Sequence, residues 1–519
     1  CLPEPSLPAD PSPTHCHEVG MTTASTAASG TGTFFGHPRG LSTLFFTEMW
    51  ERFSYYGMRG LLILFMTGAT TAANPGLGFD VATAGAIYGL YTGLVYLLAL
   101  PGGWVADRLW GQRKAIFVGG CIIAAGHFSM AVPSTPMFFL GLILIVIGTG
   151  LLKPNVSSVV ADLYPEGGVR RDAGFSVFYM GINLGAFLGP ILCGWLGEGY
   201  NWHWGFSLAG IGMVIGLIQF RMGYDHLGDA GVLRTDDPAA EVAARERRFY
   251  GVCGAALLVL AGFGLLVARG VIPLTLPQIA DGLGSGILVV VAIFFGYLHF
   301  FGGHTADEKK KIWVIFWFFI LTAVFWSGFE QAGSSLNIFA RDFTARTIGA
   351  WSYPASWLQS VNAFFIVVFA PVFGSLWVWL AKRKANPSTA VKMGLGLLGL
   401  AAGFFVVAWG AVNATAETPV SAAWLIVMYF LHTVGELTLS PIGLSAVTKL
   451  APARRVSQMM GVWFVGTALG NVIAGRVAGS LETLPPTDLF RTVAMIIGGV
   501  GLFALLTSPV VKRLMGDVD

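Results

Sequence analysis

The chain has 519 residues, of which 55% are apolar and only 11% are Asp, Glu, Lys or Arg, whereas a soluble domain has about 45–50% apolar and about 25% charged residues. With a mean hydropathy of +0.69, this shortage of charge excludes a soluble enzyme with one hydrophobic anchor, and it excludes intrinsic disorder. The net charge of +3 gives no reason to expect nucleic acid as a partner. The composition therefore predicts an all-α membrane protein, built as a bundle of spanning helices.

The first 35 residues precede the apolar part of the chain and are predicted to form a disordered tail. Residues 1–18 are rich in proline and lack the apolar core of a signal peptide. Met21 begins a stretch rich in Thr, Ala and Ser, and we expect it to be the natural start of the protein. The five cysteines, two in this tail and three in apolar runs, predict no disulfide framework.

Fourteen apolar runs follow in chain order, each long enough to cross a bilayer, which takes about 20 mainly apolar residues. The runs lie near residues 41–67, 82–106, 115–132, 136–161, 174–197, 204–223, 249–268, 283–301, 312–340, 355–381, 391–412, 420–448, 456–480 and 490–511. The sequence lacks the alternating segments of about ten residues that are typical of a transmembrane barrel. We therefore predict fourteen transmembrane helices.

A charged linker separates the first six runs from the other eight, and the two runs that follow it contain no membrane-buried acid or base. This pattern predicts four parts after the tail. They are an N-terminal six-helix bundle at 36–223, a linker with two inserted transmembrane helices at 224–310, a C-terminal six-helix bundle at 311–513, and a C-terminal tail at 514–519. Two related six-helix halves are a familiar transporter construction.

The cations predict the orientation of the bundle, because Lys and Arg concentrate in cytoplasmic loops. When the runs are numbered alternately from an inside N-terminus, most of the 31 Lys and Arg residues fall on the inner side. The cations on or near the outer side are Arg269, Arg341, Arg346, Arg476 and Arg491. Both termini are therefore predicted to be cytoplasmic.

The first apolar run contains four charged residues, although each costs roughly 2.5–3.5 kcal/mol to insert and is by default a functional hypothesis. Glu48, Arg52 and Arg59 share one helical face with Tyr55, and Glu51 flanks that stripe. The alternative for Glu48 with Arg52 is an ion pair at the membrane interface. That alternative fits Arg59 poorly, because Arg59 lies two turns further into the run.

Three more charged residues lie within later runs: Lys153, Glu330 and Glu436. A purely structural salt bridge between helices is the alternative for each of them. Together with the first run they give four acids and three bases, which leaves one buried carboxylate without a basic partner. Such a group takes up a proton readily, as proton coupling requires. A cavity with charges of both signs also suits a zwitterionic ligand.

The charged residues of the first run lie in a segment, 48–57, that resembles the E-x-x-E-R-F-x-Y-Y-G motif of the proton-dependent oligopeptide transporters, a branch of the major facilitator superfamily. Further matches are G-W-V-A-D-R at 103–108, G-T-G-L-L-K-P-N at 148–155, F-Y-M-G-I-N at 178–183 and G-E-L-T-L-S-P at 435–441. The resemblance covers about residues 40–515, and the inserted pair is similar to that of the prokaryotic members. Ala186 departs from the family, which often has a serine there.

The resemblance implies the major facilitator superfamily fold, with two six-helix bundles plus the two-helix insertion. It implies proton-coupled symport of di- and tripeptides into the cell by alternating access, in the bacterial cytoplasmic membrane. The partners are then peptides, protons and the lipid bilayer, and the protein acts as a monomer. It is not expected to be an enzyme or to need a cofactor, since the proton gradient drives transport.

The resemblance also assigns residues. For proton coupling these are Glu48, Glu51, Arg52 and Glu330. For substrate binding they are Tyr56, Arg59, Tyr91, Lys153, Asn183, Trp326, Asn337, Glu436, Ser440 and Trp463. Arg59 and Lys153 would receive the peptide carboxylate, and Glu436 would hold the amino terminus with the help of Asn183 and Asn337. Arg59 with Glu330, and Lys153 with Glu436, would be the gating salt bridges. Tyr88 and Tyr96 compete with Tyr91 for the same match.

Other functions fit the sequence less well. A membrane-embedded hydrolase would need a nucleophile–base set or a metal site, and His432 with Glu436 lacks a third ligand nearby. The sequence has no Walker A pattern, which disfavours ATP-driven transport, and no repeated filter element of a channel. The stronger alternative is a relative that carries another small solute, such as an anion or a drug-like compound, although the complete E-x-x-E-R set favours peptide.

Overall fold

The computed structural model describes residues 33–235 and 237–516, apart from the side chains at positions 239, 440–442, 444, 453 and 457. The α-helices in this part of the chain are α1 Gly40–Thr67, α2 Val81–Val105, α3 Gln112–Met130, α4 Thr135–Asp162, α5 Gly168–Gly199, α6 Trp202–Met222, α7 Ala239–Ala268, α8 Leu276–Phe300, α9 Ala306–Phe329, α10 Ser335–Asp342, α11 Ser360–Lys382, α12 Thr389–Gly410, α13 Ala423–Leu450, α14 Val456–Gly479 and α15 Pro486–Met515.

Short elements join these helices. A π-helical turn, Ala106–Trp110, follows α2, and 3₁₀ turns lie at Tyr224–Leu227, Glu330–Gly333, Ala355–Gln359, Ala411–Asn413, Ala453–Arg455 and Ser480–Glu482. Three two-stranded ribbons pair β1 Thr33–Phe34 with β2 His37–Pro38, β3 Thr344–Ala345 with β6 Val420–Ser421, and β4 Thr347–Ile348 with β5 Trp351–Ser352. The protein is all-α, because these ribbons are minor.

Each of the fourteen predicted runs coincides with a long helix. Eleven helices of the described residues are long and apolar enough to cross a membrane. α1 is not among them because it carries Glu48, Glu51, Arg52 and Arg59. The helices therefore confirm the predicted class, an all-α membrane protein.

One predicted run, 312–340, is broken. α9 ends at Phe329, a 3₁₀ turn covers Glu330–Gly333, and α10 continues the same span to Asp342. Gly333 lies so close to α1 and α2 that an added Cβ would overlap the Tyr88 hydroxyl and lie 2.8 Å from Arg59 Nε. This break was not predicted, and it places Glu330 at the end of a half-helix, facing α1.

Helices start where side chains satisfy their free N–H groups. Thr305 and Glu308 form a capping box at the start of α9, and Thr275 with Gln278 does the same for α8. Asp80 caps α2, its Oδ1 accepting a hydrogen bond from Thr83 N at 2.7 Å, and this bond lowers the pKa of the Asp80 carboxyl. Polar residues in the loops thus set the helix boundaries.

The helices form two sets. In the first set, α1 packs against α5 and α6, and α3 against α4 and α6. In the second, α12 packs against α13 and α15, and α14 against α9. The sets contact each other mainly through α2 with α14 and α5 with α11. Small residues let helices approach closely: a Cβ at Gly57 of α1 would lie 2.5 Å from Cys193 Sγ of α5.

The inserted pair differs from both sets. None of the hydrophobic stretch of α7 is buried inside the protein, and its first turns contact the segment Ala106–Trp110. α8 packs against α14 and α2. The predicted domain boundaries stay a prediction. Residues 1–32 of the predicted tail, and residues 517–519, lie outside the described residues.

Candidate functional site

A cavity lies between the two helix sets, near the middle of the bundle. The cavity has a volume of about 130 Å³. It is lined by Tyr56, Arg59, Tyr96, Tyr179, Ile182, Asn183, Ala186, Pro190, Trp326, Phe329, Glu330, Ala332, Gln359, Asn362, Ala363, Ile366, Tyr429, His432 and Glu436. Both helix sets contribute to the lining.

Arg52 of α1 lies between two carboxylates of its own helix. Its Nε is 2.7 Å from Glu48 Oε1 and 2.8 Å from Glu51 Oε2. All three side chains are at least 95% buried, so one guanidinium serves two acids away from water. Exchange of one proton at this group would change the net charge of the cluster without breaking any contact between the helix sets.

Arg59, two turns further along α1, pairs with the other helix set. Its Nη2 is 3.0 Å from Glu330 Oε2 at the break between α9 and α10. Arg59 Nε donates a hydrogen bond to the Tyr88 hydroxyl at 2.7 Å, and the guanidinium lies 5.4 Å from the centre of the Tyr56 ring. The predicted contact between Arg59 and Glu330 is therefore present, and it joins the two sets directly.

The second predicted pair, Lys153 with Glu436, is not formed in the structure. Lys153 Nζ lies 3.6 Å from the centre of the Tyr96 ring. Glu436 Oε2 instead accepts a hydrogen bond from Asn362 Nδ2 at 3.3 Å, and Asn362 also donates to Thr433 Oγ1 at 2.9 Å. No ion pair among the described residues joins Glu436 to a Lys or Arg, or Lys153 to an Asp or Glu. The excess of one acid over the bases therefore lies at Arg52, which faces both Glu48 and Glu51.

A second cavity adjoins the first and is lined by Glu48, Arg52, Tyr56, Tyr96, Ala99, Lys153, Pro154, Ser157, Phe178, Ile182 and Phe464. Three residues, Tyr56, Tyr96 and Ile182, line both cavities. Glu48, Arg52 and Lys153 thus face one compartment, while Arg59, Glu330 and Glu436 face the other. The tyrosines form the partition between them.

Of the remaining predicted substrate residues, Tyr56, Asn183 and Trp326 line the main cavity. Ser440 is in α13, but its side chain lies outside the described part of the structure. Glu51 is buried beside Arg52 and lines neither cavity.

Three predicted substrate residues lie elsewhere. Tyr91 is stacked on Tyr55 with its ring centre 6.4 Å away. Asn337 Nδ2 donates a hydrogen bond to Gly60 O across the two sets at 2.9 Å. Trp463 is buried in the hydrophobic core and packs over Gly443. None of the three lines the main cavity. Each of these side chains instead contacts another residue of the helix bundle.

Several cavity residues were missed by the sequence reasoning. Tyr179, Tyr429, Asn362 and Gln359 all face the main cavity. Asn362 offered a signal, since it is an amide in an otherwise apolar run, but the tyrosines resemble ordinary packing residues. Tyr96 was named only as a competitor of Tyr91, and it lines both cavities.

The two ends of the bundle differ in how the sets meet. At the end where α1 finishes, called here the Thr67 face, Glu198 accepts hydrogen bonds from the backbone of Ala355 and Ser356, and Arg341 Nη1 donates to Thr67 Oγ1 at 2.7 Å. At the opposite end, the Gly40 face, no hydrogen bond joins α1–α6 to α9–α15 among the described residues. The cavity is closed at the Thr67 face.

No group of three or more His, Cys, Asp or Glu residues could hold a metal ion within the described ranges. His432 is buried beside Phe404. The cavity is therefore built from ion pairs, amides and aromatic rings.

The chain is similar to known proteins over nearly its whole length. A family model described as POT family matches residues 113–246 and 278–492. A peptide transporter of Yersinia enterocolitica is 42% identical over 513 residues, covering 95% of this chain and 98% of that protein. A di-/tripeptide transporter of Lactococcus lactis subsp. cremoris is 37% identical over 494 residues, covering 94% and 98%.

Solved structures are similar over the same length. A crystal structure of a mutant peptide transporter in complex with alafosfalin has a TM-score of 0.84 and 39% identity, covering 93% of this chain and 97% of that one. A POT family transporter in complex with 5-aminolevulinic acid has a TM-score of 0.83 and 35% identity, covering 92% and 98%.

The fold and the central cavity define a multi-pass membrane transporter with the fold of the major facilitator superfamily. The chain belongs to the POT family, as its E-x-x-E-R-F-x-Y-Y-G segment predicted.

Proposed function

We propose that this protein carries di- and tripeptides into the cell together with protons. The observation that supports this most is the central cavity, which is closed at the Thr67 face and presents buried charges of both signs. The membrane is the bacterial cytoplasmic membrane, with the Gly40 face and both termini inside. The proton gradient supplies the energy without a cofactor, and the monomer is the working unit.

The charges suit the two ends of a peptide. Glu436 has no basic partner among the described residues and faces the cavity, so it can receive an ammonium group. The ammonium group of Lys153 contacts the Tyr96 ring rather than an acidic side chain of the described residues. It is therefore available for the carboxylate of a bound peptide. Since the termini are the groups that all peptides share, charges at both ends permit many side chains between them.

The aromatic lining supports a broad choice of side chains. Tyr56, Tyr96 and Tyr179, with Trp326 and Phe329, present ring surfaces to the cavity. Such rings supply apolar contact area without demanding a particular hydrogen-bonding partner. The relatives that are named as peptide transporters support the same substrate class.

Proton coupling is assigned to the α1 cluster and to Glu330. Arg52 neutralises one of its two neighbouring carboxylates, and the other is stabilised by a proton, since an uncompensated charge in this buried site is costly. Glu330 would take up a proton when its pair with Arg59 opens. Protonation at either place changes the charge that must cross the membrane, and this links proton movement to rearrangement.

Alternating access follows from the two gating pairs. Arg59 with Glu330 joins the sets while the Thr67 face is closed. The ion pair between Lys153 and Glu436 would form when the helix sets approach each other at the Gly40 face. The two pairs would therefore replace each other during the cycle.

The test is uptake of labelled dialanine into proteoliposomes with an inward proton gradient. Accumulation above equilibrium, abolished by a protonophore, is expected, and protein-free liposomes are the control. Acidification of the lumen during uptake would report the accompanying proton. Failure to accumulate dialanine under a gradient that is shown to persist contradicts the proposal.

A second candidate is transport of a small solute that is not a peptide. One observation favours it: a similar POT family transporter binds 5-aminolevulinic acid, which also carries an amino and a carboxyl group. Competition by this compound, and by dipeptides, against labelled dialanine would rank the two substrate classes. Stronger competition by the non-peptide would favour the second candidate.

A further inference from the structure

Glu198 joins the two helix sets at the Thr67 face through two hydrogen bonds. It lies near the end of α5, and its carboxylate accepts hydrogen bonds from Ala355 N at 2.8 Å and Ser356 N at 2.9 Å. These N–H groups begin the turn Ala355–Gln359, which continues into α11. The carboxylate therefore caps a helix of the other set, where negative charge is favoured.

A reciprocal contact lies across the same face. Glu482, in the turn after α14, accepts a hydrogen bond from Ala82 N at 3.0 Å, in the first turn of α2. Each set thus caps a helix start of the other, at the α5–α11 and α2–α14 contacts. The two differ in strength, since Glu198 is half-buried and accepts two bonds, whereas Glu482 is exposed and accepts one.

The other hydrogen bonds between the helix sets near Glu198 are formed by groups that do not titrate. Trp357 Nε1 donates to Ile191 O at 2.9 Å, and Ser360 Oγ donates to Phe187 O at 2.8 Å. The charged group that faces Glu198 from the neighbouring loop is Arg346. Arg346 donates a hydrogen bond to Tyr353 O at 2.7 Å. Among the described residues it forms no ion pair with Glu198, so it favours the charged carboxylate without replacing the backbone donors.

We propose that Glu198 is a positioning residue for transport, a latch on the Thr67 face that opens when its carboxylate takes up a proton. An ionised carboxylate accepts both N–H groups. The protonated acid carries its own O–H donor, which opposes one of the two backbone donors, so one bond is lost. Because it describes a step of alternating access, this role rests on the proposed function, and it lets protons arriving at the Thr67 face favour the opening of that face.

The test measures distance rather than uptake, so that its failure is distinguishable from a failure of peptide transport. Spin labels are placed at two exposed positions of the Thr67 face, Tyr200 and Ile348, with the native cysteines replaced. Distance distributions are recorded in acidic and in mildly alkaline buffer. The variant is Glu198→Gln, and Glu482→Gln is the matched control on the same face.

In the parent protein, acid is expected to increase the population with the longer distance. In Glu198→Gln, the ratio of open to closed protein is expected to be roughly tenfold higher than in the parent already in alkaline buffer, because one hydrogen bond to a charged group is lost. This ratio should respond little to acid. Glu482→Gln should move the ratio less and keep the acid response.

Two results overturn the latch. One is a Glu198→Gln protein that is as closed as the parent in alkaline buffer. The other is an acid response that survives unchanged in that variant. If Glu198→Gln does not fold, Glu198→Asp keeps the titratable group and must retain an acid response. Loss of the response in a folded Asp variant that is closed in alkaline buffer, with the parent still responding, also overturns the proposal. A folded Asp variant that is already open in alkaline buffer supports it, because the shorter side chain no longer reaches both N–H groups.

Discussion

The two arginines of α1 lie on one helical stripe but belong to different kinds of contact. Arg52 is paired with Glu48 and Glu51 of its own helix, so this cluster persists however the helix sets are arranged. Arg59 is paired with Glu330 of the other set, so its pair exists only while the sets meet there. Arg52 thus belongs to the proposed proton site, whereas Arg59 forms a contact between the helix sets, although both residues lie in one apolar run.

The largest effect is expected from neutralising the local cluster. Glu48→Gln or Glu51→Gln removes a charge beside Arg52 and should abolish gradient-driven uptake, because no proton then needs to bind there. Counterflow exchange of labelled for unlabelled peptide should continue, since it needs no net proton movement. Both are measured in the same proteoliposomes.

A suitable control for that experiment is Glu417→Gln, since Glu417 is exposed in a loop and should leave both activities unchanged. Gradient-driven uptake at the parent rate in Glu48→Gln and in Glu51→Gln would remove these residues from coupling. Loss of counterflow together with driven uptake would indicate damage to the site rather than to coupling.

The second prediction concerns Glu436, which accepts a hydrogen bond from Asn362 and pairs with no Lys or Arg in the part of the chain that the structure describes. Glu436→Gln should weaken binding of dialanine by roughly tenfold to a hundredfold, the value of a hydrogen bond to a charged group. N-acetyl-dialanine, which lacks the ammonium group, should lose much less. Binding is measured by competition against labelled peptide.

The comparison variant for Glu436 is Asn362→Leu, which removes the amide that orients the carboxylate but leaves its charge. We expect a smaller loss for dialanine than in Glu436→Gln. Equal losses for the free and the acetylated peptide in Glu436→Gln would show that Glu436 does not contact the amino terminus.

The third prediction tests the contact between the sets. Arg59→Ala should weaken a peptide with a free carboxylate by about tenfold relative to its amide, because one charged hydrogen-bond donor is lost. Glu330→Gln breaks the same ion pair but keeps the guanidinium, so it should not distinguish the two ligands. If Arg59→Ala reduces binding of both ligands equally, Arg59 acts on conformation and not as a carboxylate clamp.

The fold and the buried charges could be predicted because they depend on local features of the chain. A run of apolar residues is a spanning helix wherever it packs, and Arg52 is four residues from Glu48 in any α-helix. The break after Phe329 was not predicted, because apolar residues resume beyond it in α10, where Leu336, Ile338 and Phe339 lie among polar residues. Nor was the separation of Lys153 from Glu436, which depends on which face of the cavity is closed.

The tyrosines show the same limit on a finer scale. Tyr91 and Tyr96 lie in one apolar helix, and the motif admits either. A difference of five residues rotates the side chain by more than a quarter of a turn, since successive residues are 3.6 to a turn. Helix packing therefore decides that Tyr91 contacts Tyr55 while Tyr96 lies under Lys153.

The smallest predicted effect follows from that difference. Tyr96→Leu removes the ring that faces Lys153 and should reduce peptide affinity severalfold, because Lys153 loses a cation–π contact that positions it while leucine retains part of the packing. Tyr91→Phe, whose lost hydroxyl has no hydrogen-bond partner among the described residues, should leave affinity unchanged. Binding of dialanine to both variants measures this, and a larger loss in Tyr91→Phe than in Tyr96→Leu would return the substrate role to Tyr91.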